Sequence, residues 1–163
     1  MILKDSFIVY HVSEFGRYPI LNSFDNEETP AYIGLYSLPP AIGEAAQNQL
    51  ENYPNSTVYD FIPMFGKEFS QIEINPKWKF TVIQSKDDSF AEIQMETLRG
   101  KRRSSISTLM AIMFKHIQQI AASYADFPIT EVKVTFAHEL NFCNIQLLKA
   151  ALKNANLDLI ENN

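Results

Sequence analysis

The feature that most constrains this chain is a hydrophobic period that changes in a fixed order along its second half. Trp78, Phe80 and Val82 alternate with Lys77, Lys79 and Thr81, and after a polar stretch at residues 85–89, Ala91, Ile93 and Met95 alternate with Glu92, Gln94 and Glu96. A period of two gives each strand one apolar and one wet face, so residues 78–84 and 90–98 predict an antiparallel hairpin. From Ile106 the apolar residues Leu109, Met110, Met113, Phe114, Ile117 and Ile120 recur three and four positions apart. That spacing predicts a helix over residues 106–124 with Leu109, Met113, Ile117 and Ile120 on its buried side, and Ser104, Ser105 or Ser107 placed to cap it. Val132, Val134 and Phe136 return to alternation, Phe142, Ile145, Leu148, Leu152 and Ala155 to helical spacing, and residues 157–160 form a last short apolar run. The order is strand, strand, helix, strand, helix, strand. Such an order predicts a sheet with helices packed on it and a parallel crossover near the end.

The first third is broken by Gly16, Pro19, Pro30, Gly34, Pro39, Pro40, Gly43 and Pro54. Residues 7–12 and 32–36 read as short strands, and residues 41–52 as a helix stopped by Pro54. Residues 57–62 and 69–74 read as strands flanking a turn at residues 63–66. The whole predicts an α/β or α+β fold, a single domain over residues 1–163 with a mixed, mostly antiparallel sheet.

Charge and cysteine content narrow the function classes. A formal net charge of −5 sets aside the bulk basicity of a general nucleic-acid binder. No nucleic-acid or membrane partner is expected. The single cysteine, Cys143, has no internal disulfide partner, and His11, His116 and His138 are too scattered to suggest a metal site. Cys143 reads as a small buried hydrophobe. No run of apolar residues reaches membrane-spanning length, and a reducing cytoplasm is the expected compartment.

Four of the fourteen basic residues lie within Arg99, Gly100, Lys101, Arg102 and Arg103, just before the Ile106 helix. A glycine-bearing turn leading into a helix N-terminus can receive anion oxygens on its backbone amides, with arginine or lysine neutralising them. A solvated positive turn is the alternative.

The element order together with this turn resembles the acyl-coenzyme A-binding half of the GNAT acetyltransferase superfamily over about residues 78–160. The resemblance implies that Leu98, Arg99, Gly100, Lys101, Arg102, Arg103 and Ser104 seat the coenzyme pyrophosphate and that Asn141 accompanies the pantetheine arm. Arg102 and Ser104 stand where that family prefers glycine or another small residue, and Leu148 where it commonly has a tyrosine. Glu92 or Glu96, and His138 at a strand end, are the implied proton acceptors, with Glu96 and His138 as the catalytic pair. The implied activity is transfer of an acyl group from acetyl-CoA or another acyl-CoA to a small-molecule or protein amine, without a metal. The alternative is a small acidic binding protein without catalytic activity: an immunity protein, an inhibitor or a chaperone. Its support is the aromatic content and the acidic clusters at residues 25–28 and 87–88, which suit a basic protein partner.

Overall fold

The computed structural model describes residues 6–125, 127–136 and 141–160. Strand β1 (Ser6–Ser13) pairs antiparallel with β2 (Gly16–Ile20) on one side and β3 (Glu28–Pro30) on the other. β4 (Ile33–Gly34) lies between β5 (Ala41–Ile42) and β6 (Thr57–Val58), both antiparallel to it, and the short helix α1 (Glu44–Gln49) joins the outer two. A third antiparallel sheet has the order β7 (Thr81–Gln84), β8 (Ala91–Met95), β9 (Arg102–Ser105). Helix α2 (Ile106–Ala125) follows β9 without a break. β10 (Glu131–Val132), helix α3 (Phe142–Asn154) and β11 (Asp158–Leu159) close the order, with β10 and β11 parallel. Mostly antiparallel strands with helices packed on them are what the alternating and helical periods predicted, but among the described residues they form four small sheets rather than the single mixed sheet expected. The parallel crossover is the strand, helix and strand at the end.

Packing explains which face each element buries. In α2, Ile106, Leu109, Met110, Met113 and Phe114 are buried, and Ile117 and Ile120 pack partly against the same cluster. The helix lies against α3, β1, β8 and β9, so its predicted side is its buried side. One hydrophobic cluster runs from Phe7 on β1 through Ile33, Val58, Phe61, Ile93 and Met113 to Leu152 and Leu157. Aromatic rings bridge the second and third sheets: Tyr32 stacks on Tyr59 at 5.1 Å, Tyr59 meets Phe80 edge-on at 5.6 Å, and Trp78 stacks on Phe80 at 5.4 Å. The Trp78 indole N–H donates to Asp60 Oδ2 at 2.9 Å, which gives the half-buried ring its polar partner.

Four local expectations are corrected. The helix predicted over residues 41–52 begins only at Glu44, because Ala41 and Ile42 pair with β4 and Gly43, at φ 67°, turns the chain between them. The strand predicted over residues 57–62 stops at Val58; Asp60, at φ 57°, breaks the extension, and Ile62–Met64 and Phe69–Gln71 are single 3-10 turns. Cys143 and Phe142 are exposed, because the buried stripe of α3 is Leu148, Ala151 and Leu152, about 140° and 120° round the helix from them. The predicted turn over residues 99–103 is only half a turn: Arg102–Ser105 is strand, and this departs from the acetyltransferase-like order.

No helix among the described residues is long and apolar enough to cross a membrane.

Candidate functional site

The β8–β9 connection reverses through a tight turn. Gly100 N–H donates to Thr97 O at 2.9 Å, Thr97 N–H to Gly100 O at 3.1 Å, and the Thr97 hydroxyl to the same oxygen at 2.7 Å. Arg99 N–H donates to Thr97 Oγ1 at 3.1 Å. Gly100 sits at φ 82° with nothing within 4 Å of where a β-carbon would stand, so the turn needs its backbone freedom rather than its small size. Leu98 is half exposed, and Arg99, Gly100, Lys101, Arg102 and Arg103 are all exposed. None of these four cations forms an ion pair with a described residue; the Arg102 guanidinium donates only to Lys101 O.

The turn and the helix N-terminus are therefore separate places. The four residues of β9 stand between them, a distance of about 13 Å along the strand. At α2 the Ser105 hydroxyl accepts from Thr108 N–H at 3.1 Å, which makes it the cap among the three serines proposed for that role. Ser104 is half-buried on β9 opposite Ile93. Asn141 caps α3, its Oδ1 accepting from Asn144 N–H at 2.8 Å. Glu96 is exposed just past β8, its N–H donating to Asn55 O at 3.0 Å, and Glu92 is half-buried opposite Ser105. His138 lies outside the described residues.

Two other places stand out. A cleft of about 300 Å3 opens between Lys67, the β7–β8 turn at Asp87 and Asp88, the α2 start at Ser105 and Ser107, and Leu147 of α3. Away from it, the β1–β2 hairpin carries an aromatic patch. His11 and Tyr18 face each other across the strands, the Tyr18 hydroxyl donates to Phe15 O at 3.3 Å, and the His11 ring lies 5.6 Å from Tyr124 at the end of α2. Phe15 is 82% exposed, Tyr124 55% and Tyr18 50%. These rings count toward an aromatic-rich composition, but the periodicity of the sequence singles out none of them. The turn residues Glu14, Phe15 and Gly16 were the signal, since an aromatic at a hairpin tip has no face to bury.

His116, half-buried on α2, has its imidazole pushed below the ordinary value of 6.5 by burial, with Glu44 pulling weakly the other way. The unfolded chain therefore takes this proton first as pH falls. Stability held by neutral His116 is complete above about pH 6.5 and is lost as the pH drops through the folded value. Urea midpoints measured from pH 7.5 to 5.5 should fall more steeply for the wild-type chain than for His116→Gln.

Comparison with known proteins identifies the family and removes one of the classes left open by the sequence. The family model described as "Hsp70 protein" matches residues 11–159. Heat shock cognate 70 kDa protein 3 of Dictyostelium discoideum is 27% identical over 135 residues, covering 81% of this chain and 21% of the relative. A ribosome-associated molecular chaperone of Eremothecium gossypii is 24% identical over 144 residues, covering 86% of this chain and 23% of the relative. The Heat shock 70 kDa protein 2 of Paracoccidioides lutzii is 22% identical over 142 residues, again 86% of this chain and 22% of the relative. The chain spans about a fifth of the length of these curated relatives. The acetyltransferase resemblance is overturned by this match, and with it the acyl-coenzyme A ligand, the acyl transfer and the amine acceptor. Its basis was an element order that many α/β proteins share, and the helix-entry turn on which it depended is a strand. With a family match running over nearly its whole length, this chain belongs to the Hsp70 family.

Proposed function

We propose that the chain serves as a chaperone-family module in the cytoplasm, a single domain corresponding to part of the Hsp70 ATPase domain, and that it acts by contact with other polypeptides. Family membership supports the class. The observation that carries the mode of action is the exposed aromatic patch of His11, Phe15, Tyr18 and Tyr124. Exposed aromatics gathered in one place are characteristic of protein-binding surfaces, where large rigid rings bury area at little entropic cost. The names of the relatives point the same way, one of them being a ribosome-associated molecular chaperone.

Hsp70 membership also raises ATP or ADP with magnesium as a ligand. The described residues do not fit it. A phosphate cradle needs bare backbone at a helix entry, yet the β-carbon space at Gly34, Gly43 and Gly66 is already taken by Gln49, Thr29 and Asn144, and the open Gly100 is separated from the start of α2 by the whole of β9. The proposal therefore routes no step through a nucleotide.

The test is light scattering from a heat-denatured client protein with increasing amounts of this chain. Aggregation should be suppressed by the wild-type chain and much less by the double substitution Phe15→Ser with Tyr18→Ser, whose sites are exposed and whose fold should persist. Equal suppression by both would remove the patch from the mechanism. Titration with magnesium and ATP should give no saturable heat, and saturable binding would show that the residues sufficient for a nucleotide are present after all.

A further inference from the structure

We propose that edge strand β9, with the turn before it, is a docking strand for an extended acidic segment of another polypeptide, which adds beside β9 as a fourth strand of that sheet. This surface is distinct from the aromatic patch and does not depend on the role proposed for it.

Three observations carry the inference. Among the described residues, the sheet order β7, β8, β9 gives β9 a strand partner on one side only. In an antiparallel pair alternate residues direct their N–H and C=O groups toward the partner, so two of the four residues in β9 direct theirs outward, where a further strand could take them. Beside that edge stand Arg99, Lys101, Arg102 and Arg103, exposed and without an ion-pair partner among the described residues. Strand neighbours are about 3.3 Å apart, well inside the roughly 8 Å over which salt at physiological strength screens charge. The cations therefore repel one another with no ion pair among the described residues to offset it, in a chain whose net charge has the opposite sign. Acidic side chains are what would relieve them.

Charge on an edge strand ordinarily prevents sheet-to-sheet association. Here it is of one sign and concentrated, so it repels basic segments and favours acidic ones, which makes it a filter. The register of β9 sets the pattern it would read. Arg103 lies on the face of Gln94 and Arg102 on the face of Met95, so cations project to both sides of the strand. A matching segment of about five residues would carry acids on both of its faces near the turn and hydrogen-bond through its backbone. A peptide suits this surface better than a nucleic acid does. The side chain accompanying the cations is the aliphatic Leu98, which offers no ring for a base to stack on, whereas the open backbone edge suits an extended peptide.

The probe is a fluorescein-labelled peptide, Thr-Glu-Glu-Val-Glu-Glu-Thr, followed by anisotropy with the full chain. Saturable binding is expected, weakening at least tenfold between 50 and 300 mM salt and at least tenfold in the double substitution Arg102→Gln with Arg103→Gln, at an unchanged melting temperature. If that variant melts lower, Arg99→Gln with Lys101→Gln, confined to the turn and its exit, should show the same direction of change. A copy of the peptide N-methylated at alternate residues, which cannot complete the strand pairing, should bind at least tenfold more weakly. Undiminished binding of the methylated peptide would overturn strand addition. An RNA decamer of uridine binding as tightly as the peptide would overturn the choice of a polypeptide. No binding of the peptide at millimolar concentration would return the edge to a solvated, association-preventing strand.

Discussion

Met113→Asp is expected to lower the folding free energy by about 3–5 kcal/mol, the range for an unpaired charge forced into an apolar contact. Met113 has no exposed surface and lies in the middle of α2, where it joins the cluster shared by the sheets and α3. Neither a water nor a counter-charge can follow it there without opening the helix from its neighbours. A domain of this size is stable by only about 5–15 kcal/mol, so the variant should be partly unfolded or nearly so at 37 °C. Urea denaturation followed by circular dichroism measures the loss. Met113→Leu, close in volume, should cost less than about 1.5 kcal/mol. Normal stability in the aspartate variant would mean that α2 buries a different face.

Gly66→Val should have the second-largest effect. Gly66 sits at φ 72°, a conformation that a β-branched residue adopts only under strain, and a β-carbon there would run into the side-chain amide of Asn144 on α3. Left-handed backbone at a bulky residue costs about 1–3 kcal/mol, and the collision adds to it. The two contributions separate in a double-mutant cycle with Asn144→Ala. Removing the amide should restore the part due to collision and leave the part due to backbone strain, so the two changes should be clearly non-additive. Additive losses would mean that the loop and α3 do not touch.

What was legible in the sequence was whatever a single period could carry. β8 keeps one face buried along its length, and α2 keeps one buried from Ile106 to Phe114 with Ile117 and Ile120 partly covered beyond it, so Ala91, Ile93 and Met95, and then Leu109 and Met113, announce themselves. The two-residue strands were beyond that method, since Ile33 and Val58 owe their pairing to each other across the chain and not to any neighbour in sequence. β9 was missed for a related reason. A strand reading Arg-Arg-Ser-Ser has no apolar alternation, and its extension comes from hydrogen bonding to β8. Because it looked like a turn leading into a helix, it gave the acetyltransferase resemblance its anchor. The candidate residues were thus chosen by their charge, and the ligand assigned to them followed from the wrong local geometry. The aromatic patch was missed because period and composition report how apolar a residue is, and say nothing of whether the fold has a place to put it.

The burial of Phe7 and Ile20 on the first sheet has a consequence for how the chain is made. Their cover includes α2, which packs on β1 and β2 but lies some 90 to 100 residues further along. At a synthesis rate of about 5–20 residues per second, the hairpin leaves the ribosome several seconds before the helix that shields it, and about 5–20 s can pass with its apolar side open to other nascent chains. A chain of the chaperone family is in this respect exposed, while it is being translated, to the same hazard of premature association that chaperones exist to limit.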